Sequence, residues 1–170
     1  MLASLFRRLT AQPDAGAPLF DALTSKAREP HWYIEGTVPD SIDGRFAVLA
    51  TLTAIAMVRL EQEEDRGRQA SVAVTERFVH VMESEHREIG LGDPGLGRQV
   101  RKLVGSLSRR VDLWRETIVD DRSWEQATMN SIYGGKASAD ALAHCTRSLK
   151  DFWMALGAKS AGELAQGKIG

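Results

Sequence analysis

The sequence holds one cysteine, Cys145, in 170 residues. No internal disulfide can form, which fits a reducing compartment or indifference to redox. Charge of one sign is also missing: 22 Lys and Arg stand against 23 Asp and Glu, a formal net charge of −1. No global field therefore points to nucleic acid or to a membrane. Nor is there a long apolar run. The uncharged stretch Phe46–Val58 spans 13 residues, short of the roughly 20 that cross a bilayer. The first residues, Met1-Leu2-Ala3-Ser4-Leu5-Phe6-Arg7-Arg8, put the basic pair after the apolar ones. A secretory signal has the reverse order, so the expected location is the cytoplasm. No strand-length alternation and no internal repeat occurs, and no Gly-x-Ser-x-Gly elbow, Walker loop or zinc spacing appears.

What is present is helical periodicity. Pro39 ends the segment before it, Asp40 is placed to cap, and Asp43 sits where a helix dipole favours an acid. From Phe46 to Leu60 the apolar residues point all round the helix, which marks it as central and wrapped by others. A second long helix is expected over 68–89 after a break at Gly67. A third, ending near Val119, carries Val100, Val104, Leu107, Val111, Trp114 and Ile118 at alternating steps of four and three. Shorter helices are expected over 19–28 and 124–132. A last substantial one over 138–156 is capped by Ser138, with Leu142, Cys145, Leu149, Phe152 and Leu156 inward. The fold class is all-α: a single-domain helical bundle of about three long and several short helices. Residues 1–17 read as an arm and linker, 18–157 as the domain, and 158–170 as a weakly structured tail with one turn near 161–166.

Several stretches carry possible chemistry. Gly90-Leu91-Gly92-Asp93-Pro94-Gly95 matches a dinucleotide-binding pattern, but a helix rather than a strand precedes it. It reads as a helix terminator and tight turn, or as a loop presenting Gly92 and Asp93 to a partner. Glu83 and His86 share a helical face, yet a di-iron site needs a second copy of that pair, and none exists. Cys145 falls on an inner stripe, so it acts as a small apolar residue. Arg98, Lys102 and Arg109 lie opposite the third helix's apolar stripe, with Arg101 beside them. They form a basic ridge, either an ordinary solvated face or a docking surface for acidic protein, RNA or lipid headgroups. Glu61, Glu63, Glu64 and Asp65 oppose the dipole at a helix end. Either that helix runs further, or Arg66 and Arg68 offset them, or they meet a basic partner. His31-Trp32-Tyr33 serves as core packing or as an aromatic partner anchor. Arg45 pairs with Asp40 or Asp43, or meets a partner protein.

His31-Trp32-Tyr33, Val38-Pro39-Asp40-Ser41-Ile42-Asp43-Gly44-Arg45-Phe46, and Ile89-Gly90-Leu91-Gly92-Asp93 with Gly97 and Val100-Arg101-Lys102 resemble the ubiquinol–cytochrome c chaperone family. The resemblance runs from about Leu19 to Leu156. It implies an all-helical assembly factor, not an enzyme, that binds newly made cytochrome b and promotes assembly of the cytochrome bc1 complex. Mitochondrial relatives work with a small partner protein and the ribosome. Peripheral contact with the inner membrane fits that role; DNA and a cofactor do not enter it. The residues then expected to meet partners are His31, Trp32, Tyr33, Asp40, Asp43, Arg45, Gly92, Asp93, Arg98, Arg101, Lys102 and Arg109. The competing class is a helical enzyme or small-molecule-binding bundle, which needs buried polar groups converging on one cavity.

Overall fold

The central helix has no charged residue from Phe46 to Val58, so every side of it must be covered. The computed structural model, which describes residues 14–88, 90 and 92–170, shows how. Among the described residues seven α-helices run in the order α1 (Ala17–Ala27), α2 (Ile42–Leu60), α3 (Asp65–Glu88), α4 (Asp93–Val119), α5 (Trp124–Thr128), α6 (Ala139–Gly157) and α7 (Ala161–Ala165). No strand occurs among the described residues. α2 packs against α1, α3, α4 and α6, and Val48, Ala50, Leu52, Ala54 and Ile55 are wholly inaccessible. Its two mid-helix threonines are tolerated there because each hydroxyl donates to a carbonyl four residues back, Thr51 to Ala47 and Thr53 to Leu49.

One turn of π-helix, Met129–Tyr133, joins α5 to the loop before α6. Its Ser131 ties three elements together. The Ser131 carbonyl accepts from Arg110 of α4 at 2.8 Å, and its hydroxyl accepts from Trp114 Nε1 at 3.1 Å. The same hydroxyl lies 2.5 Å from that of Thr51. Arg110 has no carboxylate partner among the described residues, and burial lowers its pKa from the usual arginine value.

Several boundaries differ from the sequence expectations for identifiable reasons. The cap of α2 is Ser41, whose Oγ accepts from the Gly44 N–H at 3.1 Å, because the Asp40 carboxylate turns instead to Arg45. Gly67 does not break the chain: it lies in the first turn of α3, where a Cβ would stand 1.9 Å from the Leu60 carbonyl oxygen. α4 starts at Asp93, so Gly95 and Gly97 are helical and the glycine turn shrinks to the residues around Gly90 and Gly92. The first helix is Ala17–Ala27 rather than 19–28. A 3-10 turn, Pro30–Trp32, opens the connection between α1 and α2.

The acids after α2 are answered neither by a longer helix nor chiefly by Arg66 and Arg68. Glu61 pairs with Arg115 at 2.7 Å. Glu63 accepts from the Ala161 N–H at 3.0 Å and from Arg59 at 2.9 Å. The end of the chain is packed as well. α7 carries a full capping box between Ser160 and Glu163, and Leu164 and Ile169 join the core. The expectation for residues 1–13 lies outside the described residues.

Candidate functional site

One cleft of about 560 Å³ opens between α1, the start of α2, α3 and α4. Its floor is apolar: Phe20 from α1, Phe46 and Leu49 from α2, Val81 and Met82 from α3, and Leu103 from α4. The amphipathic stripes of α1, α3 and α4 converge there, because each turns its apolar face toward α2. Tyr33, Asp43 and Arg45 stand at the rim with Arg28 and Glu85, and Ile42 beside them is 81% exposed. An apolar floor with a mixed-charge rim suits an amphipathic segment better than a small polar molecule.

Two atoms in the lining stand out. Arg77 Nε and Thr24 Oγ1 are buried and have no hydrogen-bond partner among the described residues. Such groups are uncommon in native proteins and cost about 1–3 kcal/mol each. A second, more open groove of about 800 Å³ lies between α3 and α7, lined by alanines together with Arg66, Arg68, Gln69 and Glu76, and contains no such atom among the described residues. The first cleft is therefore the candidate site.

The 3-10 turn divides His31-Trp32-Tyr33 among three roles. Trp32 is fully buried and donates from Nε1 to the Lys26 carbonyl at 2.9 Å, so it is core and not a surface anchor. Tyr33 donates to the Ala27 carbonyl at 2.6 Å and shows one face at the rim, where the Arg45 guanidinium lies 6.0 Å from its ring centre. Burial raises the Tyr33 pKa, and the neighbouring Arg45 lowers it by a smaller amount. Arg45 donates to Asp40 at 2.6 Å and holds that carboxyl below its usual value.

His31 points away from the cleft. Its Nε2 meets Glu29 at 3.1 Å and its Nδ1 meets His144 Nε2 of α6 at 3.0 Å. The pattern is satisfied when His31 donates to Glu29 and accepts from His144. Behind this turn Tyr133 donates to the Gly36 carbonyl at 2.6 Å and lies 3.0 Å from Cys145 Sγ. Burial raises the pKa of both Tyr133 and Cys145, which leaves the thiol a buried packing group.

Arg98, Arg101, Lys102 and Arg109 are all exposed along α4, and none has an ion-pair partner among the described residues. Gly92 caps α4 and Asp93 is its first residue. The ridge adjoins the cleft rather than lining it, since Gln99 and Leu103 of the same helix face inward. The structure thus gathers Tyr33, Asp43 and Arg45 at one rim with the ridge beside it, and sets His31 and Trp32 elsewhere. Sequence reasoning missed Thr24 and Arg77. Arg77 did leave a signal: it falls three residues after Val74 and four before Val81, a cation on the inner stripe of α3. The His31–His144 contact spans 113 positions and left none.

A family model described as ubiquinol-cytochrome C chaperone matches residues 35–169. The fold is similar to the crystal structure of the Cbp3 homologue from Brucella abortus, with a TM-score of 0.78. That alignment covers 99% of this chain and 95% of the other at 22% identity. A comparison with curated proteins finds no match.

Proposed function

This chain belongs to the ubiquinol-cytochrome C chaperone family, and on that premise we propose that it holds newly made cytochrome b during assembly of the bc1 complex. A chaperone role is non-enzymatic. Holding a membrane client requires a surface that covers apolar segments until they are placed. The observation that carries the reading is the cleft, with its apolar floor of Phe20, Phe46, Leu49, Val81, Met82 and Leu103. Arg98, Arg101, Lys102 and Arg109 beside it supply attraction to a phosphate-bearing surface, ribosomal RNA or inner-membrane headgroups, near which such a client is made. No described helix is long and apolar enough to cross a membrane. The reading places the chain in the cytoplasm and peripheral to the inner membrane, with a small partner protein a further candidate for the ridge.

The test is a photo-crosslinking amino acid at Val81 in the full chain, expressed in cells that make the bc1 complex. A crosslink to cytochrome b is the expected product, and its absence removes the cleft from the client site. Reversing Arg98, Lys102 and Arg109 to Glu should lower crosslink yield and leave the melting temperature unchanged, because none of the three is paired. Unchanged yield would remove the ridge from the mechanism.

A further inference from the structure

Arg77 reaches the cleft from the inner stripe of α3, and Thr24 reaches it from α1. Acidic groups are near: Asp21, Asp43 and Glu85 line the same cleft. Yet no carboxylate lies within ion-pair distance of Arg77 among the described residues, and its Nε hydrogen has no acceptor. The rim charges nearly offset one another, with Arg28 and Arg45 facing Asp21, Asp43 and Glu85. What distinguishes the cleft is therefore a half-buried guanidinium in its apolar lining that no carboxylate among the described residues meets.

We infer that the cleft takes an apolar segment of the client that carries one carboxylate, delivered to Arg77 with Thr24 as the second donor. This rests on the reading of the cleft as the client site. A guanidinium offers a rigid fork of N–H donors, and a carboxylate offers two oxygens that match it. A charge-assisted pair in such a setting is about twice as strong as a neutral hydrogen bond. An amide in the same place would satisfy less of the fork. A cleft of about 560 Å³ accommodates the side chains on one face of a short helix, not a whole helix. The acid should thus be flanked three and four residues away by apolar residues that meet Phe46, Leu49 and Leu103. An acidic residue within an apolar segment is also what most needs cover before that segment reaches its place in the membrane.

The consequence separates function from structure. A buried donor with no partner burdens the free protein, so replacing Arg77 by an apolar residue of similar length should not destabilise it. With the Val81 crosslinker in the full chain, Arg77→Met should melt at or above the temperature of the unchanged protein. It should also lose about tenfold or more of its cytochrome b crosslink, the loss of one charge-assisted contact. Arg77→Lys, which keeps the charge but not the fork, should fall between. Thr24→Val, close to isosteric, should lower the yield without lowering the melting temperature. Arg77→Met with full crosslinking overturns the inference and leaves the client site standing. A melting temperature that falls by several degrees also overturns it, because Arg77 then has a structural partner. No crosslink from Val81 in the unchanged chain overturns both. A fatty acid that co-purifies with the protein and is lost in Arg77→Met, with crosslinking unchanged, assigns the carboxylate to lipid and overturns the client assignment.

Discussion

Gly44→Ala should destabilise the protein, although alanine is the better helix former. At an ordinary helical glycine the exchange gains about 1 kcal/mol. Gly44 is the third residue of α2, and a Cβ there would stand 1.9 Å from the Pro39 carbonyl oxygen. A tolerable contact is 3.0 Å or more, so the segment before the helix must retreat by at least 3.0 − 1.9 = 1.1 Å. That retreat stretches the Ser41 cap, worth about 1 kcal/mol. It also draws Val38, 2% exposed, part of the way out of the core, about 1 kcal/mol more. Crowding that cannot be relieved adds about 1–3 kcal/mol.

Net of the helix gain, the loss is about 2–4 kcal/mol, or about 4–16 °C in melting temperature for a chain of this size. Thermal melts followed by far-ultraviolet circular dichroism measure it. Gly97→Ala is the internal control. Gly97 lies in α4 with only Arg101 Nη1 at 3.5 Å from its ideal Cβ, so it should gain about 0.5–1 kcal/mol. If both exchanges raise the melting temperature, the close approach of Pro39 to α2 is wrong, and so is the placement of Asp43 and Arg45 at the rim.

Arg59 is 8% exposed and donates to the Leu156 carbonyl at 3.2 Å, the Lys159 carbonyl at 2.5 Å and Glu63 at 2.9 Å. Arg59→Met removes one donor from each of two carbonyls and a carboxylate and should cost about 3 kcal/mol in a urea melt; an unchanged midpoint refutes the clamp. Glu63 and Glu163 have pKa values held below the usual 4.5 by backbone N–H donors, Ala161 for the first and Ser160 for the second. Both groups are lowered, so the stability they add is complete above about 4.5 and is lost as pH falls through their native values. Glu63→Gln should therefore flatten the acid side of a stability–pH curve and leave the neutral-to-basic side parallel.

The central helix was legible because its uncharged run admits only one environment. The stripe of α4 was legible because its period is regular over many turns. Capping was harder. Asp40 and Ser41 are both good caps, and the choice turns on whether Arg45 occupies the aspartate, a contact no local rule supplies. Gly67 was misread because a glycine that permits close approach looks in sequence like one that ends a helix. The cleft was half legible. Tyr33, Asp43 and Arg45 lie in one short stretch of chain and were found together. Thr24 and Arg77 come from two other helices, and only packing shows that their polar atoms end without partners. Trp32 and Tyr33 are equally plausible anchors by type. The 3-10 turn separates them, sending one inward and the other to the rim.

The encirclement of α2 also governs the order in which the chain can acquire its structure. Synthesis delivers α1 and α2 early, whereas the Ser131 hub and the inner face of α6 arrive some 70 to 100 residues later. Until then a helix whose middle 13 residues carry no charge has no complete cover, and its local sequence alone does little to hold it in water. Contacts of such separation close slowly and together. The chain should therefore fold in one step once α6 has been made, and a fragment ending at Val119 should collapse and aggregate instead of forming a smaller bundle. A protein read here as shielding an apolar client begins its own existence with an apolar helix in need of the same protection.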